Sequence, residues 1–167
     1  MSRNDITIKE SGGRNFVPID RWVTASGQVA LIDAGEPAKT NDDEGEAILL
    51  EDADLTLGTD KLMTGIGAND STDTVAASGY SDQYVPLPDI KCEIKAMTST
   101  TADLQSEIDA LLGHMVVIDF TTPVFTMDAG ASTSASNAFV IVGGDPNRAT
   151  IHFRIRGDAS LLGRGTV

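Results

Sequence analysis

The sequence predicts a mainly β fold, a small β-barrel or sandwich carrying one short α-helix at about residues 101–112. Three observations carry that expectation. Residues 90–96 alternate strictly, with Ile90, Cys92, Ile94 and Ala96 on one side and Lys91, Glu93 and Lys95 on the other. A period of two is that of a strand with one buried and one wet face. Residues 150–156 repeat the pattern, setting Ile151, Phe153 and Ile155 against His152, Arg154 and Arg156. Elsewhere the chain consists of short apolar runs parted by stretches rich in Gly, Ala, Ser and Thr, with a single helical period among them.

Taken in order, residues 1–15 are polar and broken by Ser11-Gly12-Gly13, which predicts a flexible N-terminal arm. A single β-rich domain is expected over 16–160 and a short C-terminal tail over 161–167. Phe16, Val17, Ile19, Trp22 and Val23 give the arm an apolar end, and Pro18 makes that end an edge strand or loop. Trp22, the only tryptophan, is expected to be buried in the core or at an interface. Residues 28–32 read as a short strand closed by Asp33-Ala34-Gly35-Glu36-Pro37. A polar loop over 39–46 and a brief strand over 47–50 follow. Leu55, Leu57, Leu62, Met63 and Ile66, with Gly58, Gly65 and Gly67, suit one or two strands with a bend or bulge. After a small-residue loop at 68–79, residues 80–87 alternate loosely until Pro86 and Pro88 stop them.

Thr100 is the expected N-cap of the helix, and Asp103 lies near its first unpaired amides. Leu104, Ile108, Leu111 and Leu112 fall on one face, and Gly113 stands where a helix-ending glycine belongs. Residues 114–120 form a β-branched run that reads as a buried strand, 123–127 a further strand, and 129–136 a loop. The last unit is a hairpin, 137–142 and 150–156, joined by a loop holding Gly143-Gly144-Asp145-Pro146-Asn147.

Composition then limits function. The formal charge of −13 argues against a nucleic-acid partner, because phosphate backbones select clustered Lys and Arg. Eight of the twelve basic residues lie within 1–21 and 148–164, so mildly basic ends flank an acidic body. Such ends suit termini that reach an acidic neighbour. Asp42, Asp43, Glu44, Glu46, Glu51, Asp52 and Asp54 are dense enough to suggest calcium, but the alternating ligands of a calcium loop are missing, and an acidic solvated loop is expected. The single cysteine, Cys92, excludes an internal disulfide and reads as a small core hydrophobe. The first ten residues are polar and mixed in charge, unlike a secretory leader, and no apolar run nears the ~20 residues of a membrane helix. The expectation is a protein kept in a reducing compartment, with no membrane partner.

No catalytic constellation is visible. His114 and His152 have no ligand at zinc spacing, no G-x-S-x-G elbow exists, and Gly143-Gly144 lacks the helix and the GK[ST] of a phosphate loop. The expectation is a non-enzyme without cofactor or metal, working through its surfaces.

Several runs support a more specific reading. Gly35-Glu36-Pro37-Ala38-Lys39 precedes an acidic turn and a short strand; Gly65-Ile66-Gly67 and Asp70-Ser71-Thr72 lead to Tyr84-Val85-Pro86-Leu87-Pro88 and Lys95-Ala96-Met97-Thr98. The helix, Val140-Ile141-Val142-Gly143-Gly144-Asp145 and the 151–156 strand complete the pattern. Over residues 25–156 the chain resembles tailed-phage capsid cement (head decoration) proteins. The resemblance implies a small β module docked on the outer capsid surface of a virion assembled in the host cytoplasm. Its implied partner is the major capsid protein of the same virion, bound as a homo-oligomer with a trimer favoured. Cement proteins commonly brace capsomers through a terminal arm. Arg3, Lys9, Arg14, Phe16 and Trp22 are therefore the expected contacts along the N-terminal segment, with Arg154 and Arg156 as partners for capsid carboxylates. Two alternatives stand beside it: a phage tail-tube or tail-terminator subunit, and a carbohydrate-binding or adhesion module. Two Tyr and one Trp are few aromatics for the latter.

Overall fold

The computed structural model describes residues 6–25, 32–40, 46–49, 63–72, 79–95, 102–121, 124–128 and 138–157. Two antiparallel sheets account for them, sandwich-like and not closed into a barrel. The first sheet has the order β1-β7-β11-β10-β8-β9, built from Thr7–Glu10, Lys91–Lys95, Thr150–Ile155, Phe139–Asp145, Met115–Thr121 and Val124–Asp128. The second has the order β2-β6-β5-β3-β4, built from Ile19–Val23, Tyr80–Tyr84, Met63–Gly67, Pro37–Thr40 and Ala47–Leu49. The helix, α1, spans Gln105–Leu111.

The core forms where the two alternating strands pair. Register places Ile151 opposite Ile94 and Phe153 opposite Cys92, so the apolar faces of β11 and β7 coincide. Phe153 meets Phe139 edge to face, with ring centroids 5.2 Å apart at 83°. That geometry sets a positive ring edge on a negative face. From the second sheet come Met63 and Ile66. Pairing of β5 with β3 skips Thr64, and this bulge turns two side chains three positions apart into the same core. Thr64 Oγ1 donates to Gln83 Oε1 at 2.7 Å and Gln83 Nε2 donates to Ser81 Oγ at 3.3 Å, so this buried polar trio is satisfied internally.

Several expectations need revision. Part of the stretch read as an arm, residues 7–10, is strand β1, paired with β7 through Thr7 opposite Glu93 and Ile8 opposite Cys92. Residues 37–40 are a strand, not a loop: Pro37 takes the first strand position, where its missing N–H is least disruptive. Gly143 and Gly144 belong to β10, and the turn occupies 146–149. Gly144 is required there because a Cβ would stand 2.5 Å from the Thr150 carbonyl oxygen and 3.0 Å from Ile108 Cδ1. Helix α1 packs on its strand at that point.

The helix is also shorter than its apolar pattern. Leu104 is the N-cap in extended conformation, its N–H donating to Glu107 Oε2 at 3.1 Å, while Thr100 lies outside the described residues. Leu104 and Leu112 flank the helix and stay exposed, leaving Ile108 as the buried anchor. Gly113 ends it at φ 80°, as its position implied. The strand expected at 28–32, most of the acidic loops, the 129–136 loop and the 161–167 tail lie largely or wholly outside the described residues.

Candidate interaction surface

The N-terminal strand and the start of β2 form one side of an open groove of about 730 Å³. Its apolar lining includes Ile6, Ile8, Phe16, Val17, Ile19 and Tyr84. Phe16 is the most exposed large hydrophobic residue described, at 74%, and Ile19, which lines the same groove, is 55% exposed. Phe16 and Ile19 beside an apolar groove make a contiguous apolar surface, the kind of surface that marks an interaction site.

The expected contact residues divide into separate groups. Arg3 lies outside the described residues. Lys9 is committed to Glu93, its Nζ 3.5 Å from Oε2. Arg14 Nη1 donates to Asp89 Oδ2 at 2.7 Å and to the Ser11 carbonyl at 3.2 Å, in a turn where Gly12 at φ 65° leaves room for the pair. Trp22 points to the inner side of β2 and packs against the core, half-buried. Arg154 is exposed on the outer face of the first sheet, close enough to Glu10 to bear on its charge. Arg156 is held elsewhere, with Nη1 3.4 Å from Met115 Sδ and its backbone N–H bonded to the Ala138 carbonyl. The structure thus brings Lys9 and Phe16 to one groove, and sets Arg154 and Arg156 apart from it.

One feature escaped the sequence reading. Glu93, expected on a wet face, is 3% exposed. Arg148 Nη1 lies 2.8 Å from its Oε1, and Thr150 Oγ1 and His152 Nε2 donate to its Oε2 at 3.1 and 3.0 Å. Burial alone pushes the carboxyl up, but the His152 and Thr150 hydrogen bonds and the charges of Lys9 and Arg148 outweigh it and hold it below its ordinary range. The bulge at Lys9 lets two successive residues serve this face: Lys9 reaches Glu93, and Glu10 pairs with Lys91. The Lys91 bond likewise lowers the Glu10 carboxyl, partly offset by burial. Cross-strand matching of Glu93 with the donors of β11 is visible only once the β7–β11 register is known.

On the outer face of β2 and β6, Ile19 lies opposite Tyr84, Arg21 opposite Asp82 and Val23 opposite Tyr80. Arg21 clamps Asp82 in a bidentate pair, Nε to Oδ1 at 2.7 Å and Nη2 to Oδ2 at 2.9 Å, and its guanidinium stands 5.8 Å from the Tyr80 ring centre. That clamp holds the Asp82 carboxyl below its ordinary range.

Among the described residues no three His, Cys, Asp or Glu side chains gather at metal-binding reach, and no helix is long and apolar enough to cross a membrane. No protein-family signature matches the sequence, and no curated protein is detectably similar to it.

Proposed function

We propose that the protein is a capsid cement subunit that binds the outside of a phage head and stabilises contacts between capsomers. The observation that carries this reading is the bare Phe16 ring beside the apolar groove between β1 and β2, on a chain of net charge −13. The resemblance over residues 25–156 supports it, and so does a two-sheet fold that offers its neighbours surfaces. The contact is a hydrophobic anchor: Phe16 enters a pocket on the capsid protein, and capsid groups line the groove around it. Lys9 and Arg14, tied to Glu93 and Asp89, shape that surface more than they reach out from it.

The mechanism is mass action on the assembled lattice. A subunit that binds only the mature shell stabilises that state by its binding free energy. Many copies on one lattice make modest contacts avid. The acidic remainder of the surface keeps decorated particles apart.

A tail-tube or terminator subunit is the second reading, favoured by the exposed edge of β2. Sedimentation of the purified chain with undecorated heads separates the two. Co-sedimentation with heads supports cement; rings or tubes that form without heads transfer the protein to the tail.

A further inference from the structure

We infer that β2 pairs with β2 of a second copy of this chain across a twofold axis at Arg21, extending the second sheet from one copy into the next. The inference stands independently of the capsid reading.

Hydrogen-bond parity shows which way the backbone points. Val85 N–H donates to the Pro18 carbonyl and Thr24 N–H to the Gly79 carbonyl. In an antiparallel ladder the bonded positions alternate, so residues 18, 20, 22 and 24 face β6, and the N–H and C=O of Ile19, Arg21 and Val23 point out of the sheet. Among the described residues no strand lies on that side. Ile19 and Val23 remain 55% and 43% exposed, and Tyr80 beside them 52%.

Edge strands are ordinarily guarded by a projecting charge, a proline or a bulge. Pro18 precedes the strand, and the one cation within it is withdrawn. Arg21 lies back across β6, held by Asp82 and the Tyr80 ring; among the described residues its outward N–H meets no strand and donates to the neighbouring Asp20 Oδ1 at 3.2 Å, a contact that the Arg21 carbonyl of the second copy replaces.

The occupant follows from self-complementarity. Antiparallel pairing about Arg21 sets Ile19 of one copy opposite Val23 of the other, and Val23 opposite Ile19. The outer face then reads as three rows: Tyr84, Ile19, Val23 and Tyr80; Asp82, Arg21, Arg21 and Asp82; Tyr80, Val23, Ile19 and Tyr84. Apolar rows lie at both ends. The middle row carries two negative and two positive charges and sums to zero. For a chain of net charge −13, a locally balanced face is where two copies approach with least repulsion. A contact whose pattern is unchanged by exchanging the partners is an isologous twofold interface.

The area is small against a standard interface of about 1,600 Å², so the dimer is expected to dissociate at roughly micromolar concentration. Sedimentation equilibrium of the full chain over a concentration series reads it. The expected result is a monomer–dimer equilibrium that Val23→Pro weakens roughly tenfold or more, because the axis removes two outward N–H groups at once. Val23→Pro spares the β2–β6 ladder, since that N–H does not face β6. The double variant Ile19→Cys/Val23→Cys gives an independent readout. Facing Cα atoms in bonded pairs stand about 5.5 Å apart, within disulfide range, so oxidation should yield a covalent dimer. A chain that stays monomeric throughout overturns the inference. So does an oligomer, trimeric or otherwise, that a folded Val23→Pro leaves unchanged, or a double-cysteine variant that does not cross-link.

Discussion

Replacing Glu93 with glutamine removes the charge that four side chains surround while leaving the volume unchanged. In the folded protein, Arg148 at 2.8 Å, His152 at 3.0 Å, Thr150 at 3.1 Å and Lys9 at 3.5 Å all address this carboxylate. Breaking a fully buried ion pair by removing one partner costs about 3–5 kcal/mol. Here Arg148 and Lys9 are 56% and 35% exposed and can turn to water, while His152 at 17% cannot easily do so. The expected loss is therefore smaller, about 2–3 kcal/mol, or roughly 5–10 °C in melting temperature for a domain of this size. Thermal unfolding followed by circular dichroism measures it. The sign of the pH dependence follows from the lowered carboxyl. Its stabilisation is fully present above the ordinary carboxylate value of 4.5 and is lost as pH falls through the lower folded value. The difference between wild type and Glu93→Gln should be constant from neutral pH to about 4.5 and shrink in stronger acid. A variant that melts within a degree of wild type at neutral pH, or a deficit that persists undiminished in acid, would refute the reasoning.

Other consequences are direct. Thr64→Val keeps the shape of a buried side chain but leaves Gln83 Oε1 without its donor, and should cost about 1–3 kcal/mol in urea unfolding. Burial pushes the Cys92 thiol up to about 12, so alkylation at pH 8 should be negligible in the folded chain and should track its unfolding in denaturant. Gly144→Ala forces a methyl against the Thr150 carbonyl and Ile108, and should destabilise by about 1–3 kcal/mol. A fully stable Gly144→Ala would show that the packing of α1 on β10 is looser than described.

The strands that were legible are those whose two faces differ chemically. In 90–96 and 150–156, the apolar series Cys92, Ile94, Ile151, Phe153 and Ile155 enters the core as the alternation implies. Pro18 precedes a strand that is at the edge of its sheet among the described residues, as its position implied. Glu93 was illegible because a carboxylate on a polar strand face looks the same whether water or a set of protein donors meets it. Only the β7–β11 register brings Arg148, Thr150 and His152 to it, and that register is a long-range fact. Thr7–Glu10 reads as a polar arm because it covers the core with one residue, Ile8, while its backbone pairing with β7 and its charge pairs to Glu93 and Lys91 leave no apolar pattern. Leu104 and Leu112 show the opposite error: helical spacing identified a face, but the helix stops inside it. Of the expected contact residues that are described, Phe16 is the exposed apolar one that lines the groove, and no pattern in the sequence separated it from Trp22, which packs on the core.

Deleting the N-terminal segment cannot test the function cleanly, because β1 is part of the first sheet. The direct measurement is co-sedimentation of the full chain with undecorated heads, comparing wild type with Phe16→Ala, which trims a ring that is 74% exposed. The account predicts saturable binding by wild type and an affinity at least about tenfold weaker for the variant, as expected of an anchor residue. Absence of binding at saturating protein, or equal binding by Phe16→Ala, would contradict it.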